Sequence, residues 1–290
     1  MGLAREQFGE FSLLRREPSV PRRATVHFLH ATGFNAESYR GLYTSLDPSL
    51  DVYAMDARGH GFSKAPADPT KLRSWVCYRR DLEALVDTLP APVVLAGHSM
   101  GATVSMELAA ERPDLVRGLV LVDPVIVPPR HVALATLARF FGQSGRLIPI
   151  ANLAAKRRMD FASKEAAVEN FVGKGPFRTW PRDWIQAYVD GGTVTTADGV
   201  RLSCDRAWES RTFAVATTNP YRALRKVQCP ITLLTRESDG PPFTRASCEG
   251  FMKHKPDTRL LVLKDATHFL AMERPEIVRE EIERMVVTAV

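Results

Sequence analysis

Three residue types decide what chemistry this chain can do: a serine, a histidine and an aspartate, each placed just after an apolar run. The serine lies in Gly97-His98-Ser99-Met100-Gly101, between the apolar run 92–96 and the helix-forming run 102–110. Glycine two residues to either side lets a strand turn sharply into a helix, which holds the serine hydroxyl clear of the sheet edge. The helix N-terminus behind it offers an N–H and a positive dipole to a developing oxyanion. A serine hydroxyl is a weak nucleophile, so it needs an imidazole to take its proton and a carboxylate to orient that imidazole. His268 follows the apolar run 259–263, and Asp239 follows the run 230–235. Ser99, Asp239 and His268 therefore stand in the chain order Ser, acid, base expected for this kind of turn. Asp123, which ends the run 116–122, is the rival for the acid, and Glu237 is an outside candidate. The oxyanion donors are expected to be the N–H of Met100 and that of Thr32, with Phe34 as the alternative to Thr32. His98 reads as packing or pocket lining, His30 as a residue that fixes the early loop by hydrogen bonding, and His60 as a loop residue.

Such residues meet only if the elements before them share one sheet. Apolar runs at 24–29, 51–55, 92–96, 116–122, 230–235 and 259–263 alternate with helical patterns at 38–46, 72–88, 102–110 and 275–287. A first, exposed strand fits residues 10–16. This alternation predicts an α/β fold: a doubly wound, mostly parallel sheet covered on both faces. Loops that follow parallel strands gather at the carboxyl edge, where ligands bind. The alternation stops after Asp123 and resumes at Pro230. Residues 1–124 and 227–290 thus read as the core, and 125–226 as an inserted, mainly helical cap, with helices at 133–141, 152–171 and 182–190. A stretch that long does not form a plain loop in a compact domain. Its aromatic residues, Phe177, Trp180, Trp184, Tyr188 and Trp208, are candidates for pocket walls as well as for packing.

Composition narrows the function classes. The 290 residues carry a net charge of +6, and the segment 124–229 alone carries +8, with the remainder at −2. A basic excess of this kind suits a solvated helical face, an anionic or amphiphilic substrate, or a membrane surface. The basic residues are dispersed and no recognition motif accompanies them, so no nucleic-acid partner is expected. No stretch approaches the roughly 20 apolar residues of a transmembrane helix. The first residues lack an apolar signal core, and Glu6 stands where a myristoylation signal needs Ser or Thr, so a cytoplasmic location is expected. Cys77, Cys204, Cys229 and Cys248 are scattered and read as free thiols. Neither they nor the histidines fall in a ligand spacing, so no metal and no other cofactor is expected. Nothing in the sequence encodes an oligomeric state.

With these residues in view, the chain resembles the α/β-hydrolase fold superfamily, in the branch with a helical cap between the sixth and seventh core strands. The resemblance rests on His30 to Phe34, Asp56-Ala57-Arg58-Gly59-His60-Gly61-Phe62-Ser63, Gly97 to Gly101, Leu121-Val122-Asp123-Pro124, Asp239, and Thr267-His268-Phe269-Leu270 with Glu273 and Pro275. Two positions depart from the family pattern. The early loop reads His-Ala-Thr-Gly-Phe where His-Gly is usual, and Arg236 stands where a glycine often precedes the acid. The resemblance implies hydrolysis of an ester, thioester, lactone or carbon–carbon bond. It also covers cofactor-free haloperoxidases and acyltransferases. Relatives with an aspartate nucleophile, the haloalkane dehalogenases and epoxide hydrolases, are disfavoured by Ser99. The expectation is a serine hydrolase acting on a small or medium acyl substrate, most simply a carboxylic ester. The competing class is a catalytically silent relative that binds a small ligand. Fold and triad do not encode the substrate itself.

Overall fold

The structure is a computed structural model that describes residues 2–127, 148–216 and 220–289. Its centre is a sheet of eight strands: β1 (Ala4–Phe8), β2 (Phe11–Arg16), β3 (Ala24–Leu29), β4 (Leu50–Met55), β5 (Val93–His98), β6 (Val116–Val122), β10 (Ile231–Arg236) and β11 (Arg259–Leu263). They lie in the order β1-β2-β4-β3-β5-β6-β10-β11. The pairs β1/β2 and β2/β4 are antiparallel, and every other pair is parallel. The central strands β3, β4 and β5 are buried at every position, which is why their sequences read as mostly apolar runs rather than alternating ones. Helices Val76–Val86 and Met100–Glu111 bury Leu82, Val104 and Leu108 against one face. The helix Pro275–Thr288 buries Val278, Ile282 and Met285 against the other.

The sequence-predicted core strands are all present. β1 was not anticipated: it is short, polar and half exposed at the sheet edge, so it carries no apolar signature. Between β6 and β10 the inserted segment holds helices Pro149–Ala155, Lys164–Phe171, Arg182–Gly192, Arg206–Ala214 and Pro220–Lys226. The expected helix over 152–171 is two helices with a break between them, and the expected helix over 133–141 lies outside the described residues. The segment also carries a three-stranded antiparallel sheet, ordered β7-β9-β8, from β7 (Asp160–Phe161), β8 (Thr193–Thr196) and β9 (Gly199–Leu202). Its strands are too short to show a period of two. Its hairpin did leave a signal, Asp198-Gly199 flanked by β-branched residues.

Candidate active site

Ser99 sits between β5 and the helix Met100–Glu111 with φ 55° and ψ −114°, a conformation that L residues rarely adopt. The two flanking glycines are required by close approach. A Cβ on Gly101 would lie 2.0 Å from the Leu29 carbonyl oxygen, and one on Gly97 would lie 2.5 Å from the Gly101 carbonyl carbon. The turn is thus pressed between β3 and its own helix, and any side chain at either position would push it apart. Ser99 itself is 6% exposed.

The loop after β11 brings His268 to this turn. Its Nδ1–H donates to Asp123 Oδ2 at 2.6 Å. Asp123, not Asp239, is therefore the carboxylate on the imidazole, and the sequence-based assignment of the acid is corrected. The reason is local. Asp123 leaves β6 with φ 41° in the middle of the sheet and is fully buried. Thr235 Oγ1 donates to its Oδ1 at 2.9 Å, and the Arg236 guanidinium pairs with its Oδ2. Arg236, the departure from the family pattern, also donates to the carbonyl oxygens of Gly240 and Pro241. It thereby fills the place in front of β10 and ties down the turn that carries Asp239. Asp239 is left exposed, accepting from the Arg245 backbone N–H at 2.8 Å ahead of helix Arg245–His254. Glu237 is exposed as well. Asp123 bonds Nδ1, so His268 turns its other nitrogen, Nε2, away from the acid. No hydrogen bond joins Ser99 Oγ to His268 among the described contacts.

The early loop, 30–34, approaches the same turn. Phe34 N–H is consumed within the loop, donating to the Ala31 carbonyl at 3.1 Å. Thr32 N–H makes no hydrogen bond among the described residues, and its hydroxyl donates to Met100 Sδ at 3.4 Å. Thr32 N–H is therefore open beside the elbow, whereas Phe34 N–H is not. His30 anchors the loop from below. Its Nε2 accepts from Ala57 N–H at 2.9 Å, so its proton is on Nδ1, which donates to the Ala31 carbonyl at 2.8 Å. Burial lowers the His30 pKa to about 4, so the ring is neutral.

His98 does more than line a pocket. Its Nε2–H donates to the His268 carbonyl at 2.8 Å, which leaves Nδ1 to accept from Tyr39 O–H at 2.8 Å. The Tyr39 oxygen in turn accepts from Ala31 N–H at 3.2 Å. One buried chain of hydrogen bonds therefore links the early loop, the residue before Ser99 and the histidine loop. No signal in the sequence joins Tyr39 to His98, because the contact spans 59 positions.

The inserted segment covers this region with aromatic and ionic side chains. Trp180 stacks on Phe34 with ring centroids 5.2 Å apart and meets Phe269, next to His268, at 5.8 Å. Phe177 and Tyr188 pack on Phe34 as well. Glu209 lies against Gly33, where an added Cβ would come within 2.2 Å of its Oε1. Its charge is met by Arg157, whose Nη1 is 3.1 Å from both carboxylate oxygens, and Arg157 also contacts Tyr188 OH. Trp184 lies farther out, where it packs on Gly41.

A hydroxyl on a strained turn, an imidazole held by a buried carboxylate, and open N–H groups beside them form a set able to carry acyl transfer. The comparisons with known proteins agree on the family. The family model "Alpha/beta hydrolase family" matches residues 28–281. The chain belongs to the alpha/beta hydrolase family. Over 260 residues this hydrolase is 25% identical to 2-(acetamidomethylene)succinate hydrolase of Mesorhizobium japonicum, covering 89% of this chain and 86% of that one. The crystal structure of an E-2-(acetamidomethylene)succinate hydrolase superposes with a TM-score of 0.78 at 24% identity, covering 98% of each chain. An esterase of Mycobacterium tuberculosis superposes with a TM-score of 0.74 at 24% identity, over 98% of this chain and 91% of that one. These two structural likenesses concern the fold. Among the described residues no cluster of His, Cys, Asp or Glu could hold a metal ion, and no helix is long and apolar enough to cross a membrane.

Proposed function

We propose that this alpha/beta hydrolase is a serine hydrolase that cleaves a small or medium acyl substrate, most simply a carboxylic ester, through an acyl-enzyme. The observation that carries the reading is the hydrogen bond from His268 to buried Asp123 beside the strained Ser99 elbow. In this reading Ser99 attacks the acyl carbonyl. His268 Nε2 takes its proton and returns it to the leaving alcohol, while Asp123 holds the ring and its tautomer. The N–H groups of Met100 and Thr32 bind the oxyanion. Residues 125–226 act as a cap: Trp180, Phe177 and Tyr188 meet Phe34 over the early loop and exclude water from the acyl-enzyme. No cofactor takes part.

The similarity to 2-(acetamidomethylene)succinate hydrolase across most of both chains supports a second reading, in which the same residues open a small carboxylated substrate that is not a simple ester. The basic excess of the segment 124–229 suits such an anion.

One experiment addresses the mechanism and both substrate readings. A fluorophosphonate is expected to label Ser99 and stop turnover. Across a series of p-nitrophenyl esters and 2-(acetamidomethylene)succinate, Ser99→Ala is expected to lower kcat on the order of 10⁶-fold. Labelling elsewhere, or undiminished turnover by Ser99→Ala, overturns the acyl-enzyme. Turnover of the succinate alone selects the second reading.

A further inference from the structure

The helix Arg206–Ala214 has two working faces. Trp208, Glu209 and Thr212 are buried toward the core. Trp208 Nε1–H donates to the Arg58 carbonyl at 3.0 Å, and the Thr212 carbonyl accepts from Trp75 Nε1–H at 2.9 Å. The outer face, one helical stripe spaced at i, i+4 and i+5, presents Arg206, Ser210 and Arg211. Across from it lies the core segment 69–73, which contributes Thr70 and Arg73. Between them is a cleft of about 560 Å³ whose remaining walls are apolar, from Pro69, Ala155 and Ala207 among others.

Three guanidinium groups therefore line one cleft, and no carboxylate answers them. Arg211 Nε–H donates to the Leu72 carbonyl at 2.9 Å, which fixes the side chain and leaves the rest of its fork open. No ion pair involves Arg73, Arg206 or Arg211 among the described residues, and the other positions of the chain contain no Asp or Glu. Asp68, close in sequence, is engaged by Thr70 N–H and Oγ1–H and by Lys71. Burial, and then the Arg73 charge, hold the Arg211 guanidinium below the usual arginine range. A fold that brings like charges together without a counter-charge spends stability on it, and an anion in the cleft relieves the cost. Guanidinium forks match phosphate oxygens bidentately, and a cluster of three suits a dianion better than a monoanion. The apolar walls suit a ligand with a hydrocarbon body.

We propose that this cleft, between segment 69–73 and the helix Arg206–Ala214, is a second binding site, distinct from the Ser99 centre, for a phosphomonoester dianion bearing an apolar group. The helix links it to the Ser99 region, since its opposite face sets Glu209 against Gly33.

The test uses the full chain carrying Ser99→Ala, so that binding is read apart from turnover and stands or falls separately from the serine-hydrolase reading. Titration calorimetry with phenyl phosphate is expected to show saturable one-to-one binding, tighter than that of inorganic phosphate or hexanoate. Emission from Trp75 and Trp208 is expected to change along the same isotherm. Arg73→Gln and Arg206→Gln alter exposed side chains, and each is expected to weaken binding about tenfold or more, the loss for one hydrogen bond to a charged group. Absence of saturation, or binding indifferent to both substitutions, overturns the site. Hexanoate binding as tightly as phenyl phosphate overturns the dianion assignment.

Discussion

Two aspartates stand at the ends of neighbouring parallel strands, and they have opposite fates. Asp123 closes β6 and Asp239 follows β10, which pair in register from Ile231 with Leu119 to Leu234 with Val122. From the sequence each is a carboxylate just past an apolar run. In the fold, Asp123 is sealed from solvent with Thr235, Arg236 and His268 all directed at it, while Asp239 is exposed and accepts from the first N–H of the helix Arg245–His254. The difference is made by Arg236. A long cation at the end of β10 reaches sideways to Asp123 and forward to the carbonyls of Gly240 and Pro241, so the second turn is held away from the imidazole. Being at the carboxyl edge is thus not enough for a carboxylate to act on His268. The backbone has to turn it inward, and its neighbours have to satisfy its charge where water cannot.

The sharpest way to break this comparison is to neutralise each carboxylate in turn. Asp123→Asn is expected to lower kcat on the order of 10⁴-fold, about 5.5 kcal/mol in the barrier, because an amide favours the wrong imidazole tautomer. Asp239→Asn is expected to leave kcat within a few-fold of wild type. Steady-state kinetics on the best p-nitrophenyl ester compares the two, and a larger loss at Asp239 reverses the assignment.

A smaller effect separates the two positions by stability. Arg236→Met leaves the Asp123 charge buried without its cation and is expected to cost about 3–5 kcal/mol. Asp239→Ala removes one acceptor from a helix start and is expected to cost about 1 kcal/mol. Denaturant unfolding measures both, and equal costs would show that Arg236 does not distinguish the two turns.

The smallest effect concerns the buried histidines beneath the early loop, on the opposite side of β5 from Asp123. Burial lowers the pKa of His27 to about 3, His30 to about 4 and His60 to about 3. Each is neutral in the folded chain yet titrates near 6.5 when unfolded. The unfolded chain therefore binds more protons below pH 6.5, and stability is lost as the pH falls from there toward 4. Each histidine contributes about 1.4 kcal/mol per pH unit to that slope. His60→Gln is expected to reduce the slope by one such share, read from unfolding midpoints between pH 7 and 4.5. An unchanged slope would show that His60 is protonated in the folded chain.

How much of this was legible depended on the range of the interactions. The alternation of buried strands and helices is a local pattern, and it fixed the class of sheet and the place of the insertion. The elbow was legible because its residue pattern is local: Gly97 and Gly101 flank Ser99 within five residues, although the carbonyl that excludes a side chain at Gly101 belongs to Leu29. His268 was legible as a histidine in the loop that follows the last strand. The short strands of the insertion were overlooked although Asp198-Gly199 marked their hairpin, because two to four residues carry too little periodicity.

What the sequence determined by itself was the set of candidate groups and their order along the chain: Ser99, two eligible aspartates, and His268. Which aspartate meets the imidazole, and that His98 and Tyr39 bind the loops together, were decided only by tertiary structure. The physical reason is the same in each case. These outcomes depend on contacts between residues 59 to 145 positions apart, through buried hydrogen bonds whose partners are chosen by backbone direction and by competing charges rather than by local sequence pattern.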